Sequence, residues 1–399
     1  MIQVAILGFG TVGSGVAEVL EMNQKEIARG AGEALCLKYI LDTREFPDSP
    51  FRDRLIHDFS VVESDPDVKI VAECIGGVGV AYDFVTRCLK AGKHVVTSNK
   101  EMVAKYGDVL LKIAQEQGVN FLFEASVGGG IPILRPLMSC LTANRIEEIC
   151  GILNGTTNYI LTKMIDEGEE FDTVLKQAQE MGYAERDPSA DVDGHDACRK
   201  ICILADLVYG VHVDPEQVTT IGIRDIGVET VAFADIAKMR IKLLARVFPQ
   251  KDGKLAVFVA PHFVPEKNQL AHVDDVFNAV QVRGNAVGDT LFYGRGAGKL
   301  PTASAVVGDM IDAAVHLDKR RDLSWSSAQE NYLADVRDIP LVWFVNVSDG
   351  ENAVRAALPE ARILGRDSDS CGFLTEPMAL SELEKCGLHR IEQYPVLSD

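Results

Sequence analysis

The stretch IQVAILGFGTVGSGVAEVL, residues 2–20, decides the fold. Ile2 to Leu7 is an almost unbroken apolar run, which suits a strand buried on both faces. Gly8, Gly10 and Gly13 follow in G-x-G-x-x-G spacing, and the amphipathic run from Val12 to Leu20 then reads as a helix. Strand, glycine turn and helix in that order open a βαβ unit. The first glycine makes the turn, the second lets backbone approach a pyrophosphate, and the third lets helix pack on strand. Unpaired N–H groups at the helix start add partial positive charge for phosphate. The expected cradle is Gly8, Phe9, Gly10, Thr11, Val12 and Gly13, and the expected cofactor is NAD(P).

The same alternation continues outward. Apolar runs at Leu35–Leu41, Ile70–Cys74, His94–Thr97 and Asn120–Phe123 read as strands, with helical patterns at Ala81–Ala91 and Met102–Gln117. Buried strands alternating with amphipathic helices mean a parallel sheet covered on both faces. Residues 1–130 are therefore expected to form a Rossmann-type doubly wound α/β domain. From Gly128 the texture changes. EEICGILNGTTNYILTKM (147–164) reads strand, polar turn, helix, and further helices are expected at Phe171–Met181, at Ala197–Tyr209 and from beyond Asp235 to Phe248. Short strands are expected at Ala256–Val259 and Asn278–Val282. DTLFYGRGAGKLPTASAVVGDMIDAAVHL (289–317) then gives a glycine-rich turn and a helix from Thr302 to about Leu317, assigned to the first domain as a return helix over about 302–320. Mixed elements of this kind make residues 131–301 an α+β domain. The polar SAQENYLADVRDIP (327–340) reads as a linker, and the tail over 340–399 runs βαββαβ, the ferredoxin-like pattern.

Composition narrows the function classes. In 399 residues, 40 basic side chains face 59 acidic ones, a formal charge of −19. Such a surface does not attract nucleic acid or anionic lipid. The nine cysteines are scattered without a CxxC pair, which suits free thiols in a reducing cytoplasm. Cys198 and Cys202 read as small core residues of one helix. No apolar run reaches about 18 residues, and Met1 opens directly on a strand without a leader pattern. A cytoplasmic protein with a small-molecule substrate is expected, with neither nucleic acid nor membrane as partner.

Several further motifs carry chemistry. Asp42 ends the second strand, where a carboxylate can accept from a ribose 2′-hydroxyl and repel a 2′-phosphate. Arg44, two residues on, can instead face a phosphate, so the preference leans only mildly to NAD over NADP. VVTSNKE (95–101) places Lys100 just beyond a strand end, where ligands of open parallel sheets sit. EASVGGGIP (124–132) joins Glu124 to three glycines. It reads either as a cation site of carboxylate and carbonyls or as a hinge. NGTTN (154–158) at a helix start can hold a carboxylate or phosphate. Finally, YAERDPSADVDGHDACRK (183–200) sets Glu185, Asp187, Asp191, Asp193 and Asp196 before Lys200.

GFGTVG, AGKHVVTSNKE, EASVGGGIPI, GILNGTTNYILTKM, GYAERDPSADVDGHDACRK and GRGAGKLPTASAVVGD together resemble the successive signature blocks of homoserine dehydrogenases, in family order over residues 1 to 320. The resemblance implies NAD(P)H-dependent reduction of L-aspartate 4-semialdehyde to L-homoserine, on the route to threonine and methionine. It implies that Lys100 and Lys200 are the paired lysines, and that Glu185, Asp191 and Asp196 bind and position substrate beside Gly155, Thr156 and Tyr183. Thr97, Ser98, Gly182 and Gly298 would line the cofactor and substrate cleft. A monovalent cation (Na+) would rest on Glu124 and the carbonyls of Val127, Gly129 and Ile131. The 131–301 domain becomes a catalytic and dimerisation domain of a homodimer or homotetramer, and the tail resembles a small ACT-type domain that can take an amino-acid effector. Ser98 stands where alanine is common in the family and Arg295 where proline is common. Leu41 stands where NADP-preferring members often carry a basic residue.

In chemical terms, hydride arriving at an aldehyde carbon leaves charge on the oxygen, which needs a proton donor. Lys200 follows Asp196 by one helical turn, so the two can position each other. Asp187, before Pro188, reads as a turn residue, and Asp193, before Gly194, as facing solvent. Two rivals remain at this level. A semialdehyde dehydrogenase using a thiolate would need Cys140 or Cys150 activated. A non-catalytic nucleotide sensor would bind NAD(H) without turnover.

Overall fold

The computed structural model describes residues 1–366 and 370–398. It comprises two compact units: Met1–Asn144, Cys202–Pro215 and Gly294–Gln329 form one, and Arg145–Ile201, Glu216–Tyr293 and Glu330–Asp399 the other.

The first unit opens with β1 (Ile2–Leu7), α1 (Thr11–Met22), α2 (Gln24–Ala31), β2 (Leu35–Leu41), β3 (Leu55–Ile56), α3 (Phe59–Ser64) and β4 (Val68–Glu73). It continues through α4 (Gly79–Lys90), β5 (His94–Thr97), α5 (Lys100–Gln117) and β6 (Phe121–Leu122). All strand pairs are parallel, in the order β3-β2-β1-β4-β5-β6. This is the expected Rossmann-type sheet. Its strand order reverses between β1 and β4, which opens a crevice at the carboxyl ends of the strands. Val4, Ile6, Ile40, Ile70 and Val96 bury against Val16 and Leu20 of α1, and the return helix Lys299–Val315 closes the same core with Ala303, Val306 and Met310. The short α2, α3 and β3 were not expected from the apolar periodicity, which six or eight residues scarcely reveal.

Further along the chain come β7 (Ile146–Ile152), α6 (Gly155–Glu167), α7 (Phe171–Glu180), α8 (Ser189–Val192), α9 (His195–Tyr209), β8 (Thr219–Thr220) and α10 (Val228–Ala237). They are followed by β9 (Met239–Pro249), β10 (Leu255–Pro265), β11 (Phe277–Gly284), β12 (Gly288–Arg295) and α11 (Lys299–Val315). The sheet order is β12-β11-β7-β9-β10-β8, antiparallel across β11, β7, β9 and β10. One expectation is corrected here. The helix expected from beyond Asp235 to Phe248 is α10 followed by an eleven-residue strand, β9. The apolar residues of β9 are interrupted by Arg240, Lys242 and Arg246, which all lie on one face of the strand. In the sheet Lys242 is fully buried, with Nζ donating to Val273 O (2.6 Å) and Asp274 Oδ1 (3.0 Å), and Arg246 Nε donates to Glu148 Oε1 (2.8 Å). The strand β12 (Gly288–Arg295), which was not expected, precedes the expected glycine-rich turn.

The tail forms β13 (Trp343–Val347), α12 (Glu351–Ala357), β14 (Arg362–Arg366), β15 (Cys371–Leu374), α13 (Leu380–Leu383) and β16 (Arg390–Pro395). Its antiparallel sheet has the order β14-β15-β13-β16, the ferredoxin-like arrangement that the βαββαβ order implied. Trp343, Val345, Val347 and Phe373 face a core with Val354 and Leu383 of its two helices. Phe344 and Tyr394, on the opposite face, stack towards Phe263 of β10. Among the described residues no helix is long and apolar enough to cross a membrane.

Candidate active site

In the first unit the glycine cradle is built by backbone alone. Gly8 has φ +90°, a conformation that L side chains rarely adopt, and a methyl group at Gly13 would lie 1.9 Å from the Gly8 carbonyl oxygen. Gly10 precedes α1 without a side-chain cap, so the first N–H groups of the helix stay available for an anion. These features fit a pyrophosphate. The Phe9 side chain does not take part: it is buried edge-on against Phe46 and Phe51.

Asp42 is more engaged than the sequence suggested. Its Oδ2 accepts from the Phe9 N–H (2.7 Å) and Arg44 Nη2 (2.9 Å), and its Oδ1 accepts from the Arg44 N–H (2.9 Å) and Nε (3.0 Å). The Arg44 guanidinium holds the Asp42 carboxyl well below the usual carboxylate range, and the backbone donors act in the same direction. The carboxylate thus ties the glycine turn to the end of β2. Arg44 itself is exposed, packs over the Phe46 ring and reaches towards Gly10.

At the end of β5 the Thr97 hydroxyl donates to Glu73 (2.5 Å) and accepts from the Asn99 N–H (2.9 Å). Asn99 caps α5 through the Met102 N–H, and Lys100 is the first residue of that helix. Ser98 precedes the cap, and its carbonyl accepts from the Lys100 N–H. Glu73 and Asn99 had not been singled out; a lone acid at the end of an apolar strand was the available signal.

Glu124 is buried, but its carboxylate faces the backbone. Oε1 accepts from the N–H groups of Ile133 (2.6 Å) and Leu134 (2.9 Å), and Oε2 from that of Arg135 (2.7 Å). Asp309 receives the Glu124 N–H (2.8 Å) and pairs with Arg135 (2.6 Å). The glycine loop between these anchors is tied to the next one by the Gly130 N–H donating to Arg295 O (3.0 Å). Gly298 then opens α11 with φ +120°. Among the described residues no hydrogen bond is made to the carbonyls of Val127, Gly129 and Ile131, and no cluster of His, Cys, Asp and Glu suited to a metal occurs.

In the second unit the acidic stretch folds around one lysine. Lys200 is buried on α9, and its Nζ donates to Asp196 Oδ2 (2.7 Å) and to Leu153 O (2.6 Å). Asn154 binds the group together. Its Nδ2 donates to Asp196 Oδ2 (3.0 Å) and Asp191 Oδ1 (2.7 Å), while its Oδ1 caps α6 through the Thr157 N–H (2.9 Å). Burial, and then the charge of Asp196, raise the Asp191 pKa, while Asn154 and Thr156 pull it back. Thr156 Oγ1 donates to Tyr183 O (2.8 Å), and the exposed Tyr183 ring rests edge-on against Tyr159. Gly155 is the first residue of α6, and Gly182 turns the chain out of α7 with φ +76°.

The remaining acids are placed apart from the lysine. Glu185 is exposed and its carbonyl accepts from Gln179 (2.9 Å). Asp187 holds Ser189 through both its N–H and its hydroxyl, the turn role expected of it. Asp193 was expected to face solvent; it is half-buried and pairs with Arg224. The thiolate rival loses ground, because burial pushes the Cys150 thiol far up.

A phosphate cradle on a parallel sheet suits a dinucleotide and a buried lysine held by an aspartate suits proton transfer, and both are features of NAD(P)-dependent oxidoreductases that act on a carbon–hydroxyl group. Residues 8–124 match the model of the homoserine dehydrogenase NAD-binding domain, and residues 132–311 that of the homoserine dehydrogenase domain. The chain belongs to the homoserine dehydrogenase family. It is 44% identical over 315 residues to the homoserine dehydrogenase of Bacillus subtilis (strain 168), covering 78% of this chain and 72% of that one. The crystal structure of a homoserine dehydrogenase from Thiobacillus denitrificans superposes with a TM-score of 0.90 at 34% identity, over 100% of this chain and 98% of that one. A hyperthermophilic archaeal homoserine dehydrogenase in complex with NADPH matches 79% of this chain and 98% of its own, with a TM-score of 0.67 at 29% identity.

Proposed function

We propose that the chain interconverts L-aspartate 4-semialdehyde and L-homoserine with Lys200 as general acid in reduction and general base in oxidation. The observation that carries this reading is the buried Lys200 ammonium, oriented by Asp196 and the Leu153 carbonyl. Bound nicotinamide supplies or accepts hydride at its C4. As charge grows on the aldehyde oxygen, an adjacent ammonium stabilises it and donates the proton. To act as base in oxidation the lysine must first lose its proton, so oxidation is favoured by alkali.

The neighbouring residues divide the substrate. Asp191 and Glu185 take its ammonium. Its carboxylate is assigned to the backbone N–H groups of Gly155 and Thr156 at the start of α6, where the helix dipole favours an anion; the role of Lys100 as second lysine rests on family resemblance. Because the Thr156 hydroxyl donates to Tyr183 O, Thr156 serves through its backbone. Asp196 and Asn154 position the lysine.

Thr97, Ser98 and Lys100 are assigned to the nicotinamide side of the cofactor crevice, and the cofactor roles of Gly182 and Gly298 rest on family resemblance. Both NAD and NADP are accepted, with NAD favoured: Asp42 repels a 2′-phosphate, which would have to draw Arg44 away from it. A monovalent cation would rest on the carbonyls of Val127, Gly129 and Ile131, oxygen donors of the kind hard cations take, while Glu124 shapes their loop through its three backbone bonds. A homodimeric or homotetrameric assembly and an amino-acid effector at the C-terminal domain rest on family resemblance.

Lys200→Ala tests the mechanism. Turnover should fall by about 10²–10⁴-fold, while NADH binding, followed by nicotinamide fluorescence, stays at the wild-type level. Turnover near wild type would remove Lys200 from the chemistry.

A further inference from the structure

Glu73 ends β4, paired with Leu7 of β1 on one side and Thr97 of β5 on the other. A central strand in a sheet covered on both faces leaves this side chain no route to water, and Glu73 is 0% exposed. Burial pushes its pKa up, and the bonds it accepts pull it back. A buried carboxylate is costly unless its oxygens are matched. Here Oε1 accepts from the N–H groups of Ile75 (2.7 Å) and Gly76 (3.3 Å), and Oε2 from the Thr97 hydroxyl (2.5 Å).

The network then closes on itself. Thr97 Oγ1 accepts from the Asn99 N–H (2.9 Å), Asn99 Nδ2 donates to Gly77 O (2.5 Å), and Asn99 Oδ1 accepts from the Met102 N–H (3.1 Å) in the first turn of α5. The loop after β4, the end of β5 and the helix start that carries Lys100 are therefore one hydrogen-bonded body. That body abuts the glycine turn, since a methyl group at Gly8 would lie 2.8 Å from Cys74 O and 2.9 Å from Ile75 Cα. In a doubly wound sheet the dinucleotide lies across the crevice where strand order reverses. Asp42 marks the adenosine half over β1 and β2, so the nicotinamide half falls over β4 and β5.

We propose that Glu73 is a positioning residue for the nicotinamide half of the cofactor, fixing the Cys74–Gly77 loop and the Thr97–Lys100 turn as one wall of the crevice. The inference rests on the dinucleotide reading of the fold and not on the role given to Lys200. A turn-capping acid with no bearing on the cofactor would affect stability alone; a positioning acid separates the two halves of the ligand.

The experiment compares NADH with 5′-ADP, which lacks the nicotinamide half, by equilibrium binding to the full chain, and measures the KM for NADH. Glu73→Ala should weaken NADH about tenfold, raise its KM in proportion, and leave 5′-ADP within about twofold of wild type. Glu73→Gln should recover most of the loss, because its amide oxygen still accepts from Ile75 and Gly76 while its NH2 donates to Thr97 Oγ1. NADH binding at the wild-type level, or equal losses for both ligands, would overturn the proposal. Should Glu73→Ala fail to fold, Thr97→Val, which removes only the bridging hydroxyl, must show the same NADH-selective loss or the proposal falls. Normal turnover in Lys200→Ala would sink the general-acid role and leave this result untouched.

Discussion

In the glycine cradle the backbone itself is the ligand, whereas at the lysine site the backbone only carries side chains that converge from separate segments. Residues 8–13 need little beyond their own spacing and the strand and helix that flank them. Lys200, Asp196, Asp191, Asn154 and the Leu153 carbonyl come from three stretches of chain and are held by hydrogen bonds among themselves. The first construction tolerates any side chain that points away and no side chain that points in. The second tolerates backbone adjustment but depends on the donor and acceptor character of each member.

Substitutions break that comparison at different depths. The largest effect falls on chemistry: Lys200→Ala should lower kcat by about a thousandfold with NADH affinity retained, as steady-state kinetics and fluorescence titration would show together. Next is Gly13→Ala. The added methyl would meet the Gly8 carbonyl oxygen at 1.9 Å and Ile6 Cγ2 at 3.2 Å, and backbone cannot yield as a flexible side chain does. Destabilisation of about 1–3 kcal/mol and loss of NADH binding are expected in denaturant titrations; a stable variant that binds NADH normally would show that the cradle is not backbone-limited.

A smaller effect is expected from Asn154→Ser, which keeps a cap for α6 but removes the amide that donates to both Asp191 and Asp196. Substrate KM and kcat should together worsen by about tenfold in kcat/KM with the melting temperature nearly unchanged. A variant that melts earlier yet keeps wild-type kinetics would reduce Asn154 to a helix cap.

The smallest effect concerns the far end of α9. There His212 Nδ1 lies 2.9 Å from Asp206 Oδ2, which raises the His212 pKa, and burial pushes Asp206 up to about 6. A histidine pKa raised on folding stabilises fully below its unfolded value of about 6.5 and loses that contribution as pH rises through the folded value. His212→Asn should therefore cost about 1 kcal/mol at pH 5.5 and less at pH 8.5, read from denaturant titrations at both. A cost that grows towards alkaline pH would reverse the assigned coupling.

Much of this arrangement was legible in the chain. β2 and β5 fall on the expected residues, because buried parallel strands are short apolar runs with clear ends. The tail's βαββαβ order was likewise readable, and its sheet order followed. The reading failed at β9, where the cations Lys242 and Arg246 are buried and paired inside the sheet, and periodicity cannot distinguish a solvated cation from a paired one. It did not foresee the partners of Asp42 and Glu124. Both were singled out as acids at strand ends, but their partners are backbone N–H groups and an arginine brought in by local turns. Asn154 and Glu73 carried too weak a signal to be singled out individually.

The sequence by itself determined the parallel sheet, the phosphate cradle and the lysine with its aspartate one helical turn before it. Each of these depends on spacing within a single segment, where strand and helix periods convert position into geometry. Tertiary structure alone decided that Asn154 and the Leu153 carbonyl join Asp196 around the lysine, what holds the glycine turn to β2, and why a glutamate is buried between β1 and β5. Those answers depend on which donors meet each carboxylate once water has been excluded, and such pairings join residues that no local period relates.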